Sequence, residues 1–189
     1  MEARRSTRIS KFLSRHLRHA PERLGLSLQP GGWADVDELL AACRRHGLPV
    51  SRAELDEVVA TNDKQRFAFD SSGTRIRAVQ GHSVPVDLGL EATVPPPTLF
   101  HGTAAGAVQA ILAAGLRPMG RHHVHLSADP ATARAVGRRH GRPVVFEVDA
   151  AAMNAVGRRF WRASNGVWLV DAVPVEFMSV RDDRRWDDG

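Results

Sequence analysis

Three consecutive prolines, Pro95-Pro96-Pro97, constrain this 189-residue chain more than any other feature. Proline fixes φ and lacks an amide hydrogen, so the run is a stiff, extended spacer that neither a helix nor a central strand can cross. The pattern differs on its two sides. Upstream, apolar residues recur mainly at helical spacing, whereas from Leu99 onward they come in short runs separated by Gly and Pro. The expected architecture is α+β in two units: residues 1–80, a linker over 81–98, a second unit over 99–180, and a charged tail over 181–189. At this length two small domains can each bury a core.

The first unit opens with a two-faced helix from Ser6 to Ala20. Ile9, Phe12, Leu13, Leu17 and Ala20 share one side, and Arg8, Lys11, Arg15, Arg18 and His19 form an adjacent stripe. Pro21 forces Ala20 out of helical geometry and ends the element. Asp35 with Glu38, and Ser51 with Glu54, are start signals for two further helices, which carry Val36, Leu39, Leu40 and Cys43, then Leu55, Val58 and Val59. Gly47 suits the end of the first of these. Phe67 and Phe69 alternate, Ser71-Ser72-Gly73 turns, and Ile76 leads a second strand. Three short helices followed by a hairpin is the winged-helix order, so a DNA-binding regulator is a rival reading of this unit.

The remainder is expected to run as follows. Val86, Leu88 and Leu90 form a short strand. Leu99-Phe100 leads into His101-Gly102-Thr103 at a strand-to-helix turn, and an Ala-rich helix spans Ala104 to Ala114. Arg121 to Ser127 is a strand, and Asp129-Pro130 opens a helix reaching about Arg139. Pro143 to Val148, Val167 to Val170 and Val173 to Phe177 are strands.

Net charge is +5, and all but two of the 26 basic residues (Lys11 and Lys64) are arginine. Arginine offers a planar fork that matches phosphate better than the lysine point charge does. Arg4, Arg5, Arg8, Lys11, Arg15, Arg18 and Arg23 stand against only Glu2 and Glu22 within residues 1–30, so that segment carries about the whole net charge. A stripe of one sign without acids four residues away favours a polyanion over a merely solvated face. Cys43 is the sole cysteine, which excludes an internal disulfide and a cysteine zinc site. No apolar run is long enough to span a bilayer and no secretory signal opens the chain, so a cytoplasmic protein is expected.

The densest chemistry lies in Arg121-His122-His123-Val124-His125-Leu126-Ser127. A solvated surface strand accounts for it, and so would a metal site, since His123 and His125 share a strand face, but no Cys, Asp or Glu beside them completes a tetrahedral set. Leu17-Arg18-His19, Asn62-Asp63-Lys64-Gln65-Arg66-Phe67, Gln80-Gly81-His82-Ser83 and His101-Gly102-Thr103 extend the pattern toward anion and nucleotide chemistry. With Gly166-Val167-Trp168-Leu169 and Val173-Pro174-Val175-Glu176 in this order, the chain from about Ile9 to Met178 resembles the NAD-dependent RNA 2′-phosphotransferase family.

That resemblance implies an N-terminal winged-helix RNA-binding lobe and a C-terminal NAD lobe related to ADP-ribosyltransferases. It implies a catalytic group of Arg18, His19, Arg66 and Arg121, with Leu17 before the Arg-His pair and Pro21 after it excluding the nearby Arg15-His16. It places NAD, consumed as co-substrate, on His101, Gly102, Thr103, His125 and Ser127. The implied reaction removes an internal RNA 2′-phosphate through an ADP-ribosylated RNA 2′-phosphate, giving RNA with a 2′-hydroxyl, ADP-ribose 1″,2″-cyclic phosphate and nicotinamide. No metal is needed by this scheme, no membrane is involved, and a monomer acting on RNA is expected; tRNA splicing is the RNA context known for the family. The position near Val167 is apolar where protein-modifying ADP-ribosyltransferases often have Glu, which argues against a protein acceptor. The alternatives are an ADP-ribosyltransferase acting on nucleic-acid phosphate ends, which would leave no cyclic phosphate, and a non-catalytic winged-helix binder, which would ignore NAD.

Overall fold

A computed structural model of the chain describes residues 1–61 and 65–181. Asn62, Asp63 and Lys64 of the sequence motif, and nearly all of the charged tail, lie outside the described residues. The chain is mixed α/β and divides into two compact units, Met1–Gly89 and Leu90–Gly189.

In the first unit, helix α1 (Ala3–His19) buries Ile9, Leu13 and Leu17 and ends where Pro21 starts a 3₁₀ turn, Pro21–Leu24. Strand β1 (Trp33–Asp35) feeds helix α2 (Val36–Arg45), whose first turn is capped by the Asp35 carboxylate accepting from the Glu38 amide at 2.9 Å. Helix α3 (Arg52–Ala60) starts in a full capping box: Ser51 Oγ accepts from the Glu54 amide, and the Glu54 carboxylate accepts from the Ser51 amide. Strands β2 (Phe67–Phe69) and β3 (Arg75–Ala78) form the expected hairpin, and β1 adds to its far side in the antiparallel order β1-β3-β2. Strand β1 was not legible beforehand, because three residues carry too little periodicity. Leu39, Leu55 and Ile76 join the α1 residues in one fully buried core. Cys43 also belongs there; burial pushes its thiol up to about 11, so it stays protonated and serves packing.

Residues 86–90 form no strand. The Asp87 carbonyl accepts from the Gly31 amide at 3.1 Å and the Asp87 carboxylate accepts from the Gly89 amide at 2.8 Å, which turns the chain on itself.

The second unit holds two three-stranded antiparallel sheets. Strands β4 (Thr98–Ala104), β6 (Pro143–Asp149) and β9 (Met178–Val180) make one, in the order β4-β6-β9. Strands β5 (Val124–Leu126), β8 (Trp168–Val170) and β7 (Phe160–Arg162) make the other, in the order β5-β8-β7. Reciprocal backbone hydrogen bonds between Phe100 and Ser127, at 2.8 and 2.9 Å, tie the sheets together. Leu99 and Val148 from the first sheet meet Val124, Leu126, Phe160 and Trp168 from the second in a shared core. Helix α4 is Val108–Ala114, preceded by a 3₁₀ turn, and α5 spans Pro130–Gly137 behind its Asp129 cap, followed by a 3₁₀ turn over Arg138–His140. A short helix α6 (Ala150–Ala155) follows β6.

Three sequence expectations change here. Gly102 and Thr103 lie inside β4, paired with Val145 and Val144, rather than at a strand-to-helix turn, because the ladder with β6 continues to Ala104. The strand expected from Arg121 is confined to Val124–Leu126, since its partner β8 has only three residues and Arg121 is drawn into a turn closing on the Pro118 carbonyl. The strand expected over 173–177 is instead a single pairing of Val173 with Leu116 and a 3₁₀ turn, Val175–Phe177; Pro174 has no amide to extend the ladder, and pairing with β6 begins only at Met178.

Helix α5 lies unusually close to β4. A Cβ on Gly102 would fall 1.6 Å from the Ala133 carbonyl oxygen, and one on Gly137 would fall 2.6 Å from that of Thr103. Among the described residues no helix is long and apolar enough to cross a membrane.

Gly102→Ala is expected to destabilise the protein by about 3 kcal/mol or more, because both clashing atoms are backbone; the urea midpoint of unfolding measures it. The guanidinium of Arg5, hydrogen-bonded to Glu54, holds that carboxyl down from its ordinary 4.5 to about 2. A depressed carboxylate contributes stability above its unfolded value and loses it as pH falls through the folded one. Glu54→Gln should therefore lower the melting temperature at neutral pH and flatten its fall between about pH 4.5 and 2.

Candidate active site

In the first unit the last turn of α1 carries Arg18 and His19, where the negative end of the helix dipole favours cations. Residues 81–84 close over that end: the Ser83 amide donates to the Arg18 carbonyl at 2.9 Å, supplying one of the donors a helix C-terminus lacks. The Ser83 hydroxyl lies 2.9 Å from His19 Nδ1 and so sets the imidazole's orientation. Arg18 Nη2 donates to the Arg66 carbonyl at 3.5 Å, and the same carbonyl accepts from the Val79 amide at 3.0 Å. Gly81, at φ +87°, takes a left-handed backbone that L side chains rarely adopt, where the chain runs beside the Arg18 guanidinium. Arg18, His19 and Arg66 are thus brought together by one helix end, the start of β2 and the segment after β3.

The competing Arg15-His16 pair is arranged for packing. His16 is buried, its Nδ1 lies 2.8 Å from the Phe12 carbonyl of the same helix, and its ring leans on Phe12 with centroids 4.3 Å apart. His19, by contrast, is exposed.

In the second unit His101, on β4, donates from Nδ1 to the His125 carbonyl on β5 at 3.0 Å. A carbonyl can only accept, so the proton sits on Nδ1 and Nε2 is the acceptor of the neutral ring. Burial holds His101 below the usual imidazole value, against the opposing pull of the His125 carbonyl. Ser127 follows on the same stretch, fixed by its backbone pairing with Phe100. His101, His125 and Ser127 therefore gather where the two sheets join, and Thr103 lies two residues along β4 on the same face as His101. The missing side chain of Gly102 is explained by α5 standing where a Cβ would go.

Arg121 is exposed on the turn before β5, with its amide 3.1 Å from the Pro118 carbonyl. His123 is held differently from His125: its Nε2 is 3.7 Å from Asp171, and its ring lies 5.0 Å from that of Trp161. Burial lowers the His123 pKa while Asp171 opposes the shift.

Two roles were invisible in the sequence. Gln80-Gly81-His82-Ser83 stood out as a motif, yet nothing in its spacing said that Ser83 would meet His19, 64 positions away. Asp171 as the partner of His123 gave no signal at all.

Residues 4–172 match the RNA 2′-phosphotransferase, Tpt1 / KptA family. The chain belongs to that family. It is 61% identical over 180 residues to a probable RNA 2′-phosphotransferase of Trichormus variabilis, covering 95% of this chain and 99% of the relative. Similar proteins of the same description occur in Streptomyces griseus, 55% identical with 96% and 100% covered, and in Agrobacterium fabrum, 57% identical with 94% and 96% covered. The chain is thus an RNA 2′-phosphotransferase, an enzyme that takes a 2′-phosphate from RNA.

Ser83→Ala should leave the fold within about 1 kcal/mol of the parent, the worth of one exposed hydrogen bond. By removing one hydrogen bond to the His19 ring it should lower turnover of 2′-phosphorylated RNA by about tenfold, less than the roughly 10²-fold or more that outright loss of an acid–base group costs. Single-turnover rates with a parallel melting curve separate the two effects.

Proposed function

We propose that the enzyme transfers an internal RNA 2′-phosphate to NAD, with residues 1–80 as a winged-helix RNA-binding lobe and residues 99–180 as an ADP-ribosyltransferase-like NAD lobe. The order α1-β1-α2-α3-β2-β3 supports the first assignment, and the join of two small antiparallel sheets at His101 and His125 supports the second. The single observation that carries the reading is the assembly of Arg18, His19 and Arg66 around one helix end in a chain whose family acts on RNA 2′-phosphate.

NAD, when bound, supplies a ribosyl carbon that exchanges nicotinamide for a phosphate oxygen, and a 2″-hydroxyl that then displaces the RNA 2′-oxygen from phosphorus, so that nicotinamide, RNA 2′-hydroxyl and ADP-ribose 1″,2″-cyclic phosphate are released. The protein groups present fit that demand. The phosphate is already a nucleophile, so the residues must orient it and neutralise charge rather than generate a strong base. Arg18, Arg66 and Arg121 do this as forked donors to a dianion, and they also balance the charge that gathers on phosphorus during the second displacement. His19, oriented by Ser83, orders a ribose hydroxyl or carries its proton. His101, neutral with its acceptor Nε2 available by tautomer, receives a ribose hydroxyl, and the hydroxyls of Thr103 and Ser127 with the backbone at Gly102 and the His125 ring complete the NAD contacts. The working protein is read as a cytoplasmic monomer.

The test is a short RNA carrying one internal 2′-phosphate, incubated with and without NAD in the presence of EDTA, with RNA and nicotinamide followed together. NAD-dependent loss of the phosphate is expected, reduced by about 10²- to 10³-fold in Arg66→Ala or Arg121→Ala, the usual cost of losing one charge-stabilising donor. Nicotinamide release with ADP-ribose left on the RNA would instead indicate an ADP-ribosyltransferase acting on nucleic-acid phosphates. Because His101 must be neutral to accept, binding of NAD should weaken as pH falls below the ordinary histidine value, and titration calorimetry across that window would show it.

A further inference from the structure

Among the described residues, only Gln65 (φ 39°) and Met119 (φ 55°) adopt left-handed backbone without being glycine. Gln65 immediately precedes Arg66, and Met119 stands two positions before Arg121. An L side chain is penalised in this region because its Cβ crowds the next carbonyl, and residues held there concentrate at functional sites.

At Met119 the fold gives nothing in return. Its side chain is 89% exposed and joins no core cluster. The turn Pro118-Met119-Gly120-Arg121, closed by the Arg121 amide on the Pro118 carbonyl, already contains a glycine, but in the position that does not need one. Gly120 is outside the left-handed region, and a Cβ there would meet nothing within 4 Å. Turn stability alone would place glycine at 119 and almost any residue at 120.

We propose that Met119 is retained for its side chain, which packs on the base of the RNA nucleotide bearing the 2′-phosphate while Arg121 holds the phosphate. This rests on the assignment of Arg121 given above. An exposed cation and an exposed apolar thioether on one four-residue turn match the two halves of a phosphorylated nucleotide. Methionine sulfur is polarizable and its chain flexible, so it settles on an aromatic face without demanding one base in particular.

The experiment measures KM for RNA and for NAD in the parent enzyme, Met119→Gly, Met119→Leu and Arg121→Ala, using RNAs with either a base or an abasic site at the phosphorylated nucleotide. With the base present, Met119→Gly should raise KM for RNA by about tenfold, a modest loss of binding energy, while KM for NAD stays constant. Met119→Leu should remain within about twofold of the parent, since volume and apolarity are kept. The abasic RNA should cost the parent as much as the glycine substitution does, and Met119→Gly should add nothing to that loss. The melting temperature of Met119→Gly should not fall, because glycine suits this backbone.

An unchanged KM for base-bearing RNA, losses that multiply instead of overlapping, or a shift confined to KM for NAD would each overturn the inference while Arg121→Ala remains impaired. A parent enzyme without NAD-dependent dephosphorylation, or an Arg121→Ala variant as active as the parent, would remove the functional reading and this inference together.

Discussion

The second unit depends on backbone-to-backbone contact between β4 and α5. Helix α5 can approach the strand only because Gly102 and Gly137 present no Cβ to the carbonyls of Ala133 and Thr103. Larger residues would hold the helix away by roughly the width of a side chain, and close packing in protein interiors leaves no slack to absorb it. Strand β4 is thereby fixed on its face by α5 and along its edge by the seven-residue ladder with β6. The strand that bears His101 and Thr103 is thus held on two sides. The constraint gives the His101 imidazole a definite tautomer, since its Nδ1 can point only at the His125 carbonyl.

The first unit solves a different problem, that of bringing Arg18 and Arg66 to one helix end. It uses backbone oxygen and helix geometry. The Arg66 carbonyl accepts from Arg18, and the Arg18 carbonyl accepts from the Ser83 amide, so each of these residues is secured through main-chain atoms. Elsewhere in the unit ordinary ion pairs do serve stability. Arg5 with Glu54, and the terminal ammonium with Glu57 at 2.9 Å, fasten α1 to α3.

Much was readable along the chain where local rules act alone. The buried face of α1, its stop at Pro21, the caps at Asp35, Ser51 and Asp129, and the hairpin of Phe67–Phe69 with Arg75–Ala78 all follow from residues within a few positions of one another, although α1 starts at Ala3 and not at Ser6. The errors cluster where pairing length is set by a distant partner. Val124–Leu126 is short because β8 is short, Thr98–Ala104 is long because β6 is long, and β9 begins at Met178 only after Pro174 has interrupted the chain. No window of sequence contains both sides of those ladders.

The sequence by itself determined the residue types of the chemistry: a basic stripe on the first helix, histidines on alternating positions, and ordered motifs that place the chain among the RNA 2′-phosphotransferases. Tertiary structure alone decided how each group is presented. It buried His16 and exposed His19, brought Ser83 to the latter's ring, fixed the proton of His101, and turned Met119 outward on strained backbone. The physical reason is that residue type sets what a side chain can do, whereas orientation, tautomer and burial depend on neighbours tens of residues away, and only the folded chain supplies those.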